Sequence, residues 1–259
     1  MLTPFEHSNH VAKHNIPEKL ELWTAAAAGQ TISPRIDFPA QYAGRVYWQI
    51  SDGTVKPATS GAEISHTFAA NGPHRVRLIG VPVAELTRID ASSDYLTGDI
   101  GKIRWNLYRN LVTLYLHNTS VSGDISNLAG LSKLAYVYLY STSATCGSTF
   151  TASWVGMRNV QVQNCLMSQA AVGNIIESIW NARAGFTHAT PELNVGGTNA
   201  APAGTVAAPP GGGVSNSDWD WDGAKYIPLT AGAMIWDLAK DVNSENFKKW
   251  AITYKGGSI

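Results

Sequence analysis

The side chains best suited to binding chemistry are rings and amides that recur at fixed spacings in the middle of the chain. Tyr115 and Tyr138 are 23 residues apart, and Gln161 follows after another 23. Phenol rings combine apolar faces with a hydroxyl, and amides both donate and accept hydrogen bonds. We expect one uncharged surface that binds a sugar or another protein; the alternative is that exposed strand tyrosines simply stack for stability. The predicted members of this surface are Tyr115, His117, Tyr136, Tyr138, Tyr140, Asn159, Gln161 and Gln163.

A second candidate site is an acidic segment near residue 220. Asp218, Asp220, Asp222 and Gly223 match the opening D-x-D-x-D-G of a calcium loop, in which alternate carboxylates converge on the ion. Position 229 is Leu, where an EF-hand needs Glu, so a complete EF-hand is excluded. The sequence therefore predicts at most an isolated calcium site.

Two tryptophans alternate with these carboxylates. Trp219 and Trp221 follow a stretch rich in Ala, Pro and Gly, and such composition is typical of an exposed loop. The two indoles are expected either to contact a partner or to pin a polar loop to the rest of the protein.

The chain has no recognised catalytic motif: G-x-S-x-G, H-E-x-x-H, C-x-x-C and P-loop patterns do not occur. Asp90 and Glu192 are acids of the predicted binding columns, but they fall on widely separated repeats, whereas glycoside hydrolysis needs carboxyls about 5 to 9.5 Å apart. His7, His10 and His14 would share a face of a helix and could bind a transition metal, although a terminal arm or docking tail is the preferred interpretation. We expect a non-enzymatic protein without a cofactor, calcium excepted.

An internal repeat must position these side chains. The segment beginning at Leu86 recurs 25 residues later at Leu111, and shifts of 23 then lead to Leu134 and Met157. A fifth unit around Leu193 follows a longer gap that holds a helix-like insert. Stacking such units turns the outward residues of each short strand into columns. The three predicted columns are Arg88, Thr113, Tyr136, Asn159 and Glu192; Asp90, Tyr115, Tyr138, Gln161 and Asn194; and Ser92, His117, Tyr140, Gln163 and Gly196.

This repeat resembles the leucine-rich-repeat family, whose pattern L-x-x-L-x-L-x-x-N-x-L recurs every 20 to 29 residues or so. The resemblance implies a solenoid over residues 84–204, with the columns on its concave face and a small polar side chain bonding buried backbone groups in each turn. The family usually has Asn at that turn position, and this chain is expected never to have it. The predicted turn residues are Asp94, Thr119, Thr142, Cys165 and Thr198.

Residues 20–83 have a different pattern, of short alternating runs separated by turns, which predicts an antiparallel β domain. The string W-x-x-x-D-G-T from Trp48, H-x-F from His66 and G-x-x-x-V from Gly72 resembles the second half of a polycystic-kidney-disease-type (PKD-like) β-sandwich. That resemblance implies a spacer or adhesion module, with Asp52 as a turn residue. The predicted strands lie at 20–23, 32–38, 46–50, 64–68 and 76–79.

The predicted fold class is α/β with β predominance: an antiparallel Ig- or PKD-like sandwich, then a short leucine-rich-repeat solenoid with a C-terminal cap. An amphipathic helix with a Ser168 cap is expected over 168–183. The predicted divisions are an N-terminal arm at 1–19, the sandwich at 20–83, the solenoid of about five units at 84–204, a Gly/Pro/Asp/Trp loop at 205–229 and the cap at 230–259.

Composition narrows the classes of partner. Lys plus Arg and Asp plus Glu both number 19, and charged residues make up only 15% of the chain, so nucleic acid is not an expected partner. No apolar stretch approaches the length of a membrane span, and no secretion signal is visible. Cys146 and Cys165 lie in adjacent repeats but in different columns, so a disulfide bond is possible without being implied, and we expect free, largely buried thiols.

The leading functional expectation is a structural or adhesion protein of a tailed-phage virion. Residues 237–254 resemble the closing segment of leucine-rich-repeat proteins of large tailed phages and gut bacteria. The two module types that the chain resembles are usually displayed outside cells, yet no export signal is visible, and a virion component released by lysis reconciles these facts. We expect several copies on a larger assembly, bound to other virion proteins or, through the predicted columns or the loop at 218–222, to a host surface glycan or protein. The alternatives are capsid decoration or a collar or tail role without host binding, and an adhesin on a bacterial cell surface.

Overall fold

A computed structural model describes residues 19–245 and 247–259 and is mixed α/β with β predominance. Residues 1–18 of the predicted arm at 1–19, including His7, His10 and His14, lie outside the described residues. The helices are α1 (Gln169–Asn181) and α2 (Ala231–Lys240). The strands are β1 (Glu21–Thr24), β2 (Thr31–Ile32), β3 (Arg35–Asp37), β4 (Tyr47–Ile50), β5 (Val55–Pro57), β6 (His66–Thr67), β7 (His74–Ile79), β8 (Arg88–Asp90), β9 (Thr97–Asp99), β10 (Thr113–Tyr115), β11 (Ser120–Asp124), β12 (Tyr136–Tyr138), β13 (Ser143–Thr145), β14 (Asn159–Gln161), β15 (Glu192–Asn194), β16 (Trp219–Trp221), β17 (Tyr226–Pro228), β18 (Ala251–Tyr254) and β19 (Gly257–Ser258).

An eight-stranded sheet organises the molecule, in the order β19-β18-β15-β14-β12-β10-β8-β3. The six strands from β8 to β18 are parallel, and β3 and β19 add antiparallel edges. Thr113 pairs with Arg88 and Tyr136, and Asn159 pairs with Tyr136 and Glu192. This register confirms the first two predicted columns, and β18 extends the parallel part of the sheet by one strand beyond the predicted repeats.

A smaller parallel sheet, β13-β11-β9, lies one turn further along each unit. Its Gly123 has φ +111°, and a Cβ there would lie 1.9 Å from the Asp99 carboxylate. Asp99 accepts a hydrogen bond from the Gly101 N–H at 2.8 Å and so starts the following short 3-10 turn. Glycine is required at 123 because the neighbouring unit's carboxylate occupies the space of a side chain.

The N-terminal region forms an antiparallel sheet, β1-β7-β4-β5, and a two-stranded pair, β2-β6. Strands were predicted at all of these places except β5. The Thr54 N–H donates to Asp52 at 2.9 Å, which confirms Asp52 as a turn residue, and His66 Nε2 lies 2.9 Å from the same carboxylate. Because β3 pairs with β8, the large sheet crosses the predicted boundary at residues 83 and 84, and one apolar core runs through both regions.

The two helices pack behind the C-terminal end of the sheet. Ser168 accepts a hydrogen bond from the Ala171 N–H and caps α1, as predicted. Trp180 of α1 donates to the buried carboxylate of Asp237 in α2 at 2.7 Å. Within the described residues, neither helix is long and apolar enough to cross a membrane.

Buried polar side chains hold the turn that follows each strand of the repeat. The hydroxyls of Thr119 and Thr142 donate to the carbonyls of Leu116 and Leu139, each at 2.6 Å. The thiol of Cys165 donates to the Leu139 carbonyl at 3.1 Å. These contacts confirm the turn role of the three residues, and both cysteines are free and buried.

In the fifth unit the turn residue is Asn199. The prediction that Thr198 holds this turn is therefore wrong, and so is the prediction that no unit has Asn at the turn position. Thr198 is exposed, whereas the Asn199 side chain is 0% exposed. The turn is one residue longer here and passes through Gly197, whose φ is +67°. The partners of the Asn199 amide are the N–H groups of Cys165 at 3.0 Å and Met167 at 3.1 Å and the carbonyls of Val162 at 2.8 Å and Val195 at 3.1 Å.

Asn199→Ala should lower the free energy of unfolding by about 3 to 5 kcal/mol, because it leaves buried donors and acceptors without partners. Thr198→Ala is the matched control and should change it by less than about 0.5 kcal/mol. Urea unfolding of both variants measures the difference. Equal effects of the two substitutions would contradict the role assigned to Asn199.

Asp94 joins the first repeat to the N-terminal region and is only 4% exposed. The Ser33 N–H donates to its Oδ1 at 2.6 Å, and the Thr24 hydroxyl donates to its backbone carbonyl at 3.0 Å. Oδ2 is buried without a partner among the described residues. Burial raises the pKa of Asp94 to about 7, opposed by the Ser33 N–H and supported by repulsion from Asp90 and Glu63.

Asp94→Asn should stabilise the protein at pH 8 and have little effect at pH 4. The folded state holds the Asp94 proton more tightly than the unfolded chain, so the free energy of unfolding falls as pH rises from about 4 to about 7. Asn keeps an acceptor for Ser33 and carries no charge, and we expect a gain of about 1 to 3 kcal/mol at pH 8.

Urea unfolding at both pH values checks this expectation. Asp52→Asn is the control, because the pKa of Asp52 is shifted in the opposite direction. Partial burial raises this pKa, but Thr54 and His66 lower it by more, so the net shift is downward. That variant should lose stability at neutral pH, where the native carboxylate is charged, and much less in acid. A gain for Asp94→Asn that does not change with pH would refute titration of Asp94 in this range.

Candidate functional site: the ring face of the large sheet

The eight predicted binding residues lie on one face of the large sheet. We call this set of eight residues the ring face. Its members are Tyr115, His117, Tyr136, Tyr138, Tyr140, Asn159, Gln161 and Gln163. Side chains alternate across a strand, so Leu114, Val137 and Val160 point into the core while their neighbours point outward. All eight outward side chains are partly exposed. The third column also aligns, because the Asn118 N–H donates to the Tyr140 carbonyl of the next unit at 3.0 Å.

Rings of the same column stack on each other. The ring centroids of Tyr115 and Tyr138 are 4.3 Å apart at an interplanar angle of 16°, and those of His117 and Tyr140 are 4.3 Å apart at 21°. Adjacent strands are about 4.8 Å apart, so flat side chains at equivalent positions meet face to face. The Arg88 guanidinium lies 4.9 Å from the centre of the Tyr115 ring and covers its other side.

This stacking determines which parts of the rings a ligand can meet. Rings stacked along the sheet stand edge-on to solvent, so ring edges rather than ring planes are exposed on the outer surface. In each pair the outer side of the second ring, that of Tyr138 or of Tyr140, is directed toward the next unit, in which Gln161 and Gln163 are the equivalent residues. The ring face therefore offers a ligand phenol hydroxyls, ring edges and the flat sides of two rings that border amide groups.

The amides beside the rings are held by hydrogen bonds. Gln161 donates from Nε2 to Asn159 Oδ1 at 2.6 Å, and Asn159 donates from Nδ2 to Glu192 Oε2 at 2.5 Å. Arg158 donates to the Tyr136 hydroxyl at 3.2 Å. These contacts orient Asn159, Gln161 and Tyr136 before any ligand arrives.

The ring face is uncharged at neutral pH. Burial, together with the neighbouring Tyr115, raises the pKa of Tyr138 to about 12, and burial also raises the pKa values of Tyr115 and Tyr140. Burial lowers the pKa of His117, although the nearby Asp90 opposes this. Asp90 itself pairs with Arg88 at 2.7 Å.

Two polar atoms of the third column are shielded from solvent without a protein partner in the described part of the chain. They are Nδ1 of His117 and Oε1 of Gln163. Such atoms carry an unmet capacity for hydrogen bonding. Because both atoms are shielded from solvent, a ligand could bond to either of them only after its side chain rotates.

A depression adjoins the ring face at the C-terminal end of the sheet, and the sequence prediction missed it. Along the second column the side chains shorten from Tyr138 through Gln161 and Asn194 to Thr253, which opens a cavity of about 390 Å³. Its size falls within the range of small-molecule sites, about 300 to 1,000 Å³. We call it the polar trough, and its polar lining residues are Gln161, Glu192, Asn194, Thr253 and Ser258.

The predicted loop at 205–229 contains the antiparallel hairpin of β16 and β17. Trp219 is 1% exposed and packs with Tyr226 and Ala233 in a small apolar cluster against α2. The structure corrects the prediction that Trp219 contacts a partner, because its indole is part of the protein interior. Trp221 is partly exposed at the edge of the same cluster, in accord with the alternative that the tryptophans pin the loop.

The three carboxylates of this segment each bond to their own surroundings. Asp218 accepts from the Thr230 hydroxyl at 3.0 Å, Asp220 from the Ser215 hydroxyl at 2.7 Å, and Asp222 from the Lys225 N–H at 2.8 Å. They alternate along β16 and its flanks, where an extended chain separates alternate residues by about 6.6 Å. Across residues 19–245 and 247–259, no three His, Cys, Asp or Glu side chains are grouped to hold a metal ion. The calcium site stays a prediction.

Comparison with known proteins adds no functional assignment to this geometry: no family model, curated protein or solved structure matches the chain.

Proposed function

We propose that this chain is a non-enzymatic adhesion protein that binds a host surface glycan through the ring face. The observation that carries the proposal is the pair of ring stacks beside oriented amides, all on side chains without a charge. Sugars combine apolar C–H patches with hydroxyl groups that both donate and accept. The edges and flat sides of aromatic rings suit the C–H patches, and phenol, imidazole and amide groups suit the hydroxyl groups.

The same features favour a glycan over a protein as the ligand. The core of a protein interface is usually dry and apolar, and its large side chains are free to fill pockets in the partner. On the ring face the tyrosines are already stacked on each other, and what they present outward is mainly hydroxyl groups and edges. The polar trough next to them also carries polar side chains, beside Leu193, Ala251, Ile252 and Ile259.

We also propose the finer fold: a PKD-like sandwich followed by a leucine-rich-repeat solenoid. Support comes from the parallel strands in repeat register and from Asp52 in the N-terminal region, which accepts from the Thr54 N–H in its turn and lies 2.9 Å from His66 Nε2. The Asn199 amide, which bonds to four backbone groups, is a further feature expected of such a repeat.

For location, we propose the virion of a tailed phage, with several copies of the chain on the particle. Support comes from the resemblance of residues 237–254 to proteins of large tailed phages. In this proposal the N-terminal region docks on other virion proteins and the ring face points toward the host.

Tyr138→Ala should reduce glycan binding by about tenfold or more, because it removes a stacked ring and a hydroxyl from the centre of the face. The measurement is binding of the purified chain to an array of neutral and acidic oligosaccharides, followed by titration of the best ligand. Tyr47→Ala is the matched control, since Tyr47 is also exposed (37%) but lies on β4 of the N-terminal sheet.

Thermal unfolding of both variants separates loss of binding from loss of folding. Binding that survives in folded Tyr138→Ala would contradict the proposed site. If the wild-type chain binds no glycan on the array, glycan adhesion is refuted. Loss of incorporation of the variant into particles, with unchanged adsorption per incorporated copy, would instead favour a decoration or collar role.

A further inference from the structure

We propose that the polar trough is a second sugar subsite that prefers neutral units over acidic ones, so that the ligand is an oligosaccharide lying across the strands. This inference rests on the proposed function of the ring face. It adds the ligand's length, its direction on the protein and its charge.

The trough continues the second column of the ring face without a break. Tyr138 pairs with Gln161, Gln161 with Asn194, and Asn194 with Thr253. Three strand spacings separate Tyr138 from Thr253, or about 14 Å at 4.8 Å per strand. A single sugar ring does not span this distance, so a ligand that contacts both Tyr138 and Thr253 contains several units.

The walls of the trough offer both donors and acceptors in fixed orientations. Asn194 accepts from the Gly196 N–H through Oδ1 at 3.1 Å, which directs its NH₂ group away from that bond. Gln161 donates to Asn159 through its NH₂ group, and Glu192 accepts from Asn159 through one of its two carboxylate oxygens. In the described part of the chain, no bond is found to the Asn194 NH₂ group, to the Gln161 carbonyl oxygen or to the second Glu192 oxygen.

This arrangement matches the hydroxyl groups of a sugar. A hydroxyl can donate to the Gln161 or Glu192 oxygen while a neighbouring hydroxyl accepts from Asn194. Thr253 and Ser258 add hydroxyls that rotate to suit either role. Because Asn159 already holds Gln161 and Glu192, little side-chain freedom is lost when the ligand binds.

Charge gives the trough its preference. Glu192 lies on its wall, and the residues lining it include neither Lys nor Arg. A carboxylated or sulfated sugar would therefore meet a like charge with no compensating cation in the trough. Neutral hexoses and N-acetylhexosamines avoid this repulsion and gain a charge-assisted hydrogen bond to Glu192.

The test is an array of neutral oligosaccharides, from one to four units long, alongside uronic-acid and sialylated counterparts. Thr253→Trp fills the trough and should weaken binding of neutral tetramers by about tenfold while leaving binding of the shortest ligands unchanged. Thr145→Trp is the matched control, because Thr145 is an exposed strand residue of the smaller sheet. Glu192→Gln keeps an acceptor, removes the charge and should increase binding of acidic oligosaccharides by about tenfold.

The outcomes separate this inference from the proposed function. If Tyr138→Ala loses binding while Thr253→Trp and Thr145→Trp both match the wild type, the ring face stands and the trough subsite is refuted. If wild type and Glu192→Gln have the same preference for neutral over acidic ligands, the charge selection is refuted. If the wild-type chain binds no oligosaccharide, the subsite and the proposed function fail together.

Discussion

The spacing between parallel strands is the constraint on which the rest of the structure depends. Strands β8 to β18 lie about 4.8 Å apart and in strict register, so each outward side chain faces its equivalent in the next unit. That distance is also close to the separation of stacked rings, which explains the 4.3 Å contacts of Tyr115 with Tyr138 and of His117 with Tyr140. A shift of one residue in any strand would turn its outward side chains into the core.

Such a stack must also satisfy the backbone groups where the chain leaves each strand. Small buried polar side chains do this, and they differ from unit to unit: Thr119 and Thr142 bond to one carbonyl each, whereas Asn199 bonds to four backbone groups. Asp94 is the exception, because one of its carboxylate oxygens has no partner within residues 19–245 and 247–259. Its position against Ser33 links the pH dependence of stability to the junction between the two regions.

The ends of the sheet determine where a ligand can bind. The short antiparallel strands β3 and β19 form the two edges of the sheet, and short edge strands offer few unpaired backbone groups to other chains. At the C-terminal edge the closing strands have small side chains, such as Thr253 and Ser258, and the amide residues of β14 and β15 separate them from the tyrosines of β10 and β12. The polar trough is the result of that difference in side-chain size.

Local pattern in the sequence determined the repeat, its outward columns, the capped helix α1 and most of the strands of the N-terminal region. These features depend on alternation, helical spacing and turn residues, all of which lie close together in the chain. They can therefore be predicted without knowledge of tertiary contacts. The eight residues of the ring face also followed from this pattern, because equal spacing in sequence becomes adjacency in a parallel stack.

Only the tertiary structure decided the features that depend on contacts between distant segments. Asn199 replaced Thr198 as the turn residue because an extra residue in that turn moved the buried position by one. Trp219 became a core residue because α2 packs against its hairpin, and the trough exists because β18 pairs with β15, 57 or more residues away along the chain. No pattern of neighbouring residues in the sequence predicts these three features. Each depends on how the packed elements exclude water and satisfy their buried polar groups.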